Sequence, residues 1–148
     1  MLGFDQSTTV SGWCIFEDNR YIDSGVLDLS FMKKDSTRRM LAMAEQICQR
    51  IDEVLPDKVV IEDIFENKNV TTLVILGRLQ GVIMHHCYKK GIPIEILASK
   101  TWRRLVGIKQ IKRDDCKQAA IRLVKEKYGL DITSDEAEAV CITSTIML

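Results

Sequence analysis

No segment of this chain approaches the roughly 18 consecutive apolar residues a membrane span requires. Its start runs directly into Asp5 with neither a basic flank nor a signal-type apolar stretch. A soluble, cytoplasmic protein is expected. Cysteine is present but unorganised. Cys14, Cys48, Cys87, Cys116 and Cys141 are odd in number and never spaced as CxxC, which argues against a zinc site or a disulfide framework. They read as buried small hydrophobes in a reducing compartment. Histidine is scarce: His85 and His86 stand side by side within a helical stretch and read as packing or surface residues, not ligands. No Ser-His-Asp arrangement is legible. Net charge is absent too, because 21 Lys and Arg offset 21 Asp and Glu, so bulk charge lends nothing to nucleic-acid binding. Internal repeats, low-complexity tracts and Pro/Gly/Ser-rich linkers are missing. With 148 residues, 46% of them hydrophobic, the chain is expected to form one domain over 1–148 around a proper core.

What is present is a change of period. Up to about Leu29, apolar and polar residues alternate, with breaks near Gln6-Ser7-Thr8-Thr9 and Glu17-Asp18-Asn19. This pattern predicts three short antiparallel strands at about 1–5, 11–17 and 20–28. From Ser36 to about Leu55, Met40, Leu41, Met43, Ala44, Ile47, Cys48, Ile51, Val54 and Leu55 recur at helical spacing until Pro56 stops the run. Residues 58–62 then form a short apolar run ending in Glu62, the pattern of a strand buried on both faces. A second helix is expected from about Asn69 to Lys90, ended by Gly91, then a strand from Ile92 to Leu97. Helices over 101–106, 113–128 and 134–147 complete the chain. The expected class is α/β: a mixed sheet of three antiparallel strands plus parallel strands, flanked by helices.

Carboxylates occupy the ends of these elements. Asp135 and Glu138 stand three apart at the start of the last helix and so share a face. Acidic residues there also complement the helix dipole, a reading that needs no ligand. Asp5 ends the first strand, where a carboxylate is costly unless neutralised, although an Asp also initiates turns well. Glu62 ends the fourth strand, with a charge turned toward water as its alternative. Taken together, a strand-end Asp, a strand-end Glu and a helix-start Asp/Glu pair are what two Mg²⁺ ions about 3.5–4 Å apart require.

Four collinear blocks carry a resemblance: Leu2-Gly3-Phe4-Asp5-Gln6-Ser7-Thr8-Thr9-Val10-Ser11-Gly12-Trp13, residues 60–69 beginning Val60-Ile61-Glu62-Asp63, Leu76-Gly77-Arg78-Leu79-Gln80-Gly81, and Ser134-Asp135-Glu136-Ala137-Glu138-Ala139. In order and over nearly the whole chain, they resemble the RuvC Holliday-junction resolvases, of bacterial or phage origin. The resemblance implies a ribonuclease H-like fold. It places the family's four catalytic, metal-binding carboxylates on Asp5, Glu62, Asp135 and Glu138, with Mg²⁺ or Mn²⁺ as cofactor and two ions per site. It implies paired nicks across a four-way junction that leave 5′-phosphate and 3′-hydroxyl ends. A homodimer is implied, with the apolar face of the Leu73–Cys87 helix as dimer surface, although Leu73, Leu76, Leu79, Val82, Ile83 and Met84 would also serve a monomer core. Phe65 falls on a family position that stacks on an unpaired base near the crossover. The chain departs from the family at Gln6-Ser7, where many members carry Pro-Gly, and at Glu138, where Asp is usual.

Charge is distributed unevenly. Between Lys100 and Lys127, ten basic residues face only Asp114, Asp115 and Glu126. Lys100, Arg103, Arg104, Lys112, Arg113 and Lys117 are the candidate DNA contacts, and a solvated helix face is the alternative. Trp102, between these cations, reads as a core residue. The neutral overall charge predicts loose selectivity, with three-way forks cut as well as four-way junctions. A branch-migration motor is a partner that the sequence leaves open. Three other readings compete. An actin-like or sugar-kinase ATPase fragment shares the Gly3-Phe4-Asp5-Gln6-Ser7-Thr8-Thr9 opening but lacks a second domain and a later Gly-rich loop. A catalytically inactive protein of the same fold would not need all four carboxylates. A ribonuclease H acting on RNA–DNA hybrids differs in substrate choice.

Overall fold

The alternating opening folds as a meander. The computed structural model describes residues 1–64, 69–109 and 112–147. In it β1 (Leu2–Asp5), β2 (Val10–Glu17) and β3 (Arg20–Asp28) pair antiparallel in sequence order. The two-residue turn between β2 and β3 places Asp18 and Asn19 at φ of 48° and 62°, the left-handed geometry whose twist suits a tight hairpin. Helix α1 (Ser36–Val54) then crosses the sheet, capped at its start by Asp35, whose side chain accepts from the Arg38 N–H. Next come β4 (Val59–Glu62), α2 (Val70–Lys90) and β5 (Ile94–Leu97), with β4 parallel to both β1 and β5. Helices α3 (Ser99–Leu105), α4 (Arg113–Tyr128) and α5 (Ser134–Ser144) follow, ending in a 3₁₀ turn over Thr145–Met147. Strand order is β3-β2-β1-β4-β5. This is the expected mixed sheet flanked by helices.

Boundaries shift for local reasons. Ile92 lies in the turn that closes α2, not in a strand, because its N–H reaches back to the Cys87 carbonyl around left-handed Gly91. Helix α3 starts two residues earlier than expected, which puts Ser99 and Trp102 on one helical face. The last helix tightens to 3₁₀ after Ser144.

Alternation assigns each strand residue to a face. Leu2, Phe4, Trp13, Val59 and Ile61 pack under α1 and α2 with Met43, Ile47, Ile51, Leu79 and Ile83. Cys14, Phe16 and Val60 face α3, α4 and α5, against Trp102, Cys116, Ala120, Val124 and the Ala139–Ile142 run. All five cysteines are free thiols. Burial pushes Cys14 and Cys141 up to about 12, so both stay protonated at neutral pH. Asp52 of α1 joins α2 through His86 Nε2 (2.9 Å) and Lys90 Nζ (3.1 Å). Both histidines thus stay out of the carboxylate cluster, with His86 tying two helices together. Among the described residues, no helix is long and apolar enough to cross a membrane.

Helix α5 lies closest to the sheet. A Cβ at Gly3 would sit 1.6 Å from Thr143 Oγ1, and one at Gly12 would sit 1.9 Å from the Asp135 carbonyl oxygen. Only glycine lets β1 and β2 accept the helix at this depth.

Candidate active site

The sheet register places two of the four carboxylates. Gly3 pairs with Val60 and Phe4 with Ile61 across parallel β1 and β4. Asp5 and Glu62 are therefore next in register and leave the sheet on the side of Gly3 and Val60, where α3 and α5 pack. Helix α5 supplies the other two. Its N-terminus is closed by a capping box in which Thr133 and Glu136 exchange hydrogen bonds, and Ser24 of β3 also donates to Glu136. Glu136 thus does the capping. Asp135 and Glu138 turn the other way, toward Asp5, and ligand atoms of these three residues all lie within 4.8 Å of one another.

Glu62 stands beside this triad, outside the 4.8 Å group, and is held elsewhere. Its Oε1 accepts from Trp102 Nε1 at 3.0 Å and, in a shorter contact, from Ser99 Oγ. Its backbone carbonyl accepts from Gln6 Nε2 (3.0 Å) and Gln80 Nε2 (3.3 Å). Glutamines from the end of β1 and from α2 thereby fix the end of β4.

Cations face the triad from α3 and α4. Lys117 Nζ donates to Asp135 Oδ1 at 3.0 Å and to Ser134 Oγ at 3.3 Å, and it lies 3.9 Å from Glu138 Oε2. Arg103 Nη2 lies 3.8 Å from Glu138 Oε1. The negative charge is not fully balanced. Asp5 is held well above the ordinary carboxylate range by burial, then by repulsion from Glu138, Glu62 and Asp135, with Lys117 pulling the other way. Burial also raises Glu138; Lys117, Arg103 and Arg113 oppose the shift, while Glu62 adds to it. The cluster opens on a cleft of about 730 Å³ bordered by Asp5, Glu62, Asp135, Arg103, Arg113 and the Gln6–Val10 turn.

The candidate DNA contacts separate into two groups. Lys117 and Arg103 sit inside the site against carboxylates, whereas Lys100, Arg104, Lys112 and Arg113 are exposed, Arg113 at the border of the cleft. Phe65 lies outside the described residues. Trp102 is fully buried, as expected of a core residue, and in addition hydrogen-bonds Glu62. The sequence reading missed Gln6, Gln80 and Ser99 as supports of Glu62. The available signals were Gln6 and Gln80 within the first and third blocks of the resemblance and the three-residue spacing of Ser99 and Trp102.

Four oxygen-donor side chains with no His or Cys among them form a donor set for hard cations such as Mg²⁺. Two features of the site fit a bound cation: the uncompensated repulsion at Asp5, and a buried Gln6 Oε1 with no hydrogen-bond partner among the described residues.

Comparison with known proteins identifies relatives of this chain. The family model for crossover junction endodeoxyribonuclease RuvC matches residues 1–145. The protein of that name from Christiangramia forsetii is 31% identical over 149 aligned residues, covering 95% of this chain and 77% of its own. The one from Hydrogenovibrio crunogenus is 30% identical over 148, covering 95% and 85%. Among solved structures, T. thermophilus RuvC in complex with Holliday junction substrate superposes with a TM-score of 0.76 at 16% identity, over 97% of this chain and 89% of that one. Fowlpox virus resolvase with substrate Holliday junction DNA gives 0.63 at 14% identity, over 99% and 97%. These structural matches show the shared ribonuclease H-like fold. With the family model spanning nearly its full length, the chain belongs to the crossover junction endodeoxyribonuclease RuvC family.

Proposed function

We propose that this chain is a metal-dependent endonuclease that resolves four-way DNA junctions and also cuts other branched DNA, three-way forks included. The convergence of Asp5, Asp135 and Glu138 beside Glu62, in a chain of this family, carries the reading. The relatives' own name, crossover junction endodeoxyribonuclease, supports it, as do the Holliday junction complexes of two proteins with the same fold. The ATPase and hybrid-nuclease readings have no comparable support.

Asp5, Asp135 and Glu138 would hold one Mg²⁺ ion, and Asp5 with Glu62 a second; Mn²⁺ suits the same oxygens. Such cations, when bound, supply the water activation and phosphate polarisation that lead to 5′-phosphate and 3′-hydroxyl ends. The chain's own residues do the positioning. Lys117 and Arg103 hold the α5 carboxylates in place and keep positive charge at the cleft floor, where a phosphate would enter. Exposed Lys100, Arg104, Lys112 and Arg113 extend that charge outward along the backbone of a bound strand. Asp5, at the centre of the cluster, takes a proton more readily than an ordinary carboxylate, so the working form of the site is favoured as pH rises.

A homodimer places two such sites on one junction. Its proposed surface is the outer face of α2, where Val70, Val74, Val82, Met84 and Tyr88 are exposed while Leu79, Ile83 and Cys87 are spent on the core. A cytoplasmic enzyme with free thiols is consistent with this picture.

The deciding experiment incubates the protein with an end-labelled four-way junction, with and without Mg²⁺, beside linear duplex and RNA–DNA hybrid. Metal-dependent, symmetrically paired nicks confined to branched DNA are expected. Cutting of the hybrid alone would overturn the reading.

A further inference from the structure

We infer that Ser99 and Trp102 of α3 are positioning residues for Glu62: together they fix one carboxylate oxygen so that the other is presented to a cation. The inference rests on the metal-dependent reading above and adds residues to it.

Both donors converge on the same atom. Trp102 is 0% exposed, locked into the core under α3, and a buried indole N–H requires an acceptor. It finds Glu62 Oε1 at 3.0 Å. Ser99, one helical turn earlier on the same face, donates to that same oxygen. Hydrogen bonds to an ionised acceptor are about twice as strong as neutral ones, and two on one oxygen stop the carboxylate from rotating. Neither donor reaches Oε2. The Gln6 and Gln80 bonds fix the backbone beneath, so Glu62 is held at both ends.

The arrangement also sets where Glu62 cannot go. Asp5, Asp135 and Glu138 gather within 4.8 Å, and α3 keeps Glu62 apart from them as a separate post. A site for two cations about 3.5–4 Å apart needs such a division of its ligands. Helix α3 touches both halves, since Arg103, the residue after Trp102, faces Glu138. A residue that orients a metal ligand typically contributes about ten- to hundredfold in metal affinity or activity.

The test uses Ser99→Ala, Ser99→Thr and Trp102→Phe, the last keeping an aromatic ring and removing the N–H. Mn²⁺ binding to the DNA-free protein is followed by electron paramagnetic resonance of the free ion, and cleavage of a four-way junction by steady-state kinetics. Ser99→Ala and Trp102→Phe are each expected to weaken Mn²⁺ binding by about tenfold or more. They should lower kcat with little change in KM for the junction, and Ser99→Thr should restore both. In an ¹⁵N correlation spectrum, the Trp102 indole signal should move when Glu62 is replaced by Gln. Wild-type Mn²⁺ affinity and kcat in both variants would overturn the inference, as would failure of Ser99→Thr to restore them, which assigns the loss to packing. Should Trp102→Phe fail to fold, the two Ser99 variants decide alone. No Mn²⁺ uptake by the wild type would overturn the metal-dependent reading itself, a result distinct from equal uptake by wild type and variants.

Discussion

The two faces of the sheet are built to different rules. Under α1 and α2 the strands offer large side chains, Leu2, Phe4, Trp13 and Ile61, and the helices answer with Met43, Ile47, Leu79 and Ile83. That face is an ordinary apolar core with its polar pairs at the margin, such as Asp52 with His86 and Lys90. Under α5 the strands offer less bulk, with Phe16 and Val60 as the exceptions. Gly3, Gly12 and Cys14 let the helix sink until its Ala and Thr side chains meet the backbone, and Asp135 and Glu138 come down with it onto Asp5. One face uses bulk to gain stability, whereas the other gives up bulk and gathers repelling carboxylates, which makes it the face on which function is proposed.

The sharpest way to break that contrast is a substitution with opposite effects on activity and stability. Asp5→Asn is expected to lower junction cleavage by about a thousandfold or more, the equivalent of about 4 kcal/mol of barrier, while junction binding survives. The same change should raise the melting temperature of the metal-free protein at neutral pH, because it removes a half-buried charge that its neighbours repel. Ile47→Ala on the other face should lose about 2–5 kcal/mol of stability and leave Mn²⁺ affinity alone. Denaturant titration and a gel assay check the pair; cleavage at the wild-type rate by Asp5→Asn would sink the assigned role.

Gly12→Ala comes next. Its Cβ would meet the Asp135 carbonyl at 1.9 Å, so the start of α5 must lift away from β2. A displacement of about 1 Å at a reacting centre costs about a hundredfold in rate, and that fall in kcat is expected with the fold retained by circular dichroism. Gly81→Ala, on the exposed side of α2 with nothing within 4 Å of its Cβ, should fold at least as stably as the wild type, because alanine favours a helix by about 1 kcal/mol.

The contrast also explains what was legible in the sequence. Every strand and helix of the described residues was foreseen to within a few residues, because amphipathic alternation, Pro56 and Gly91 act locally. The four carboxylates stood out because each sits at an element end where a charge needs a reason. The supports of Glu62 were hidden: Gln6, Gln80, Ser99 and Trp102 are scattered along the chain, and only the β1–β4 register and the packing of α3 bring them to one residue. The roles of Lys117 and Arg103 were blurred in the same way. On the sequence they belong to one basic run with Lys112 and Arg113, and only the fold turns two of these cations inward.

That division supplies a smaller prediction. Removing charge at Lys112 and Arg113 together should weaken junction binding and flatten its salt dependence, the slope falling by about 0.9 for each phosphate no longer neutralised, with a smaller fall in single-turnover cleavage of saturated complex, since Arg113 also borders the cleft. Lys117→Ala should do the reverse, reducing cleavage more than the salt slope, because its ammonium is engaged with Asp135. Equal salt slopes in both variants would show that the inner and outer cations are not distinct.

The smallest effect tests whether the two faces respond to pH with opposite sign. Asp5 has a folded pKa above its unfolded value near about 3.9, so its contribution favours folding at low pH and is lost as pH rises through the raised value. Asp52 is shifted down, first by its hydrogen bond with His86 and then by that with Lys90. Its contribution is therefore present above the unfolded value and lost as pH falls through the depressed one. Denaturant midpoints of metal-free wild type, Asp5→Asn and Asp52→Asn between about pH 3 and pH 8 separate the two. The advantage of Asp5→Asn over wild type should grow with pH. The deficit of Asp52→Asn should be small, as for an exposed pair, and should shrink on acidification. Parallel curves for the two variants would mean that the carboxylates of both faces sit in equivalent electrostatic surroundings, and the division of the sheet into a stabilising face and a charged one would fail.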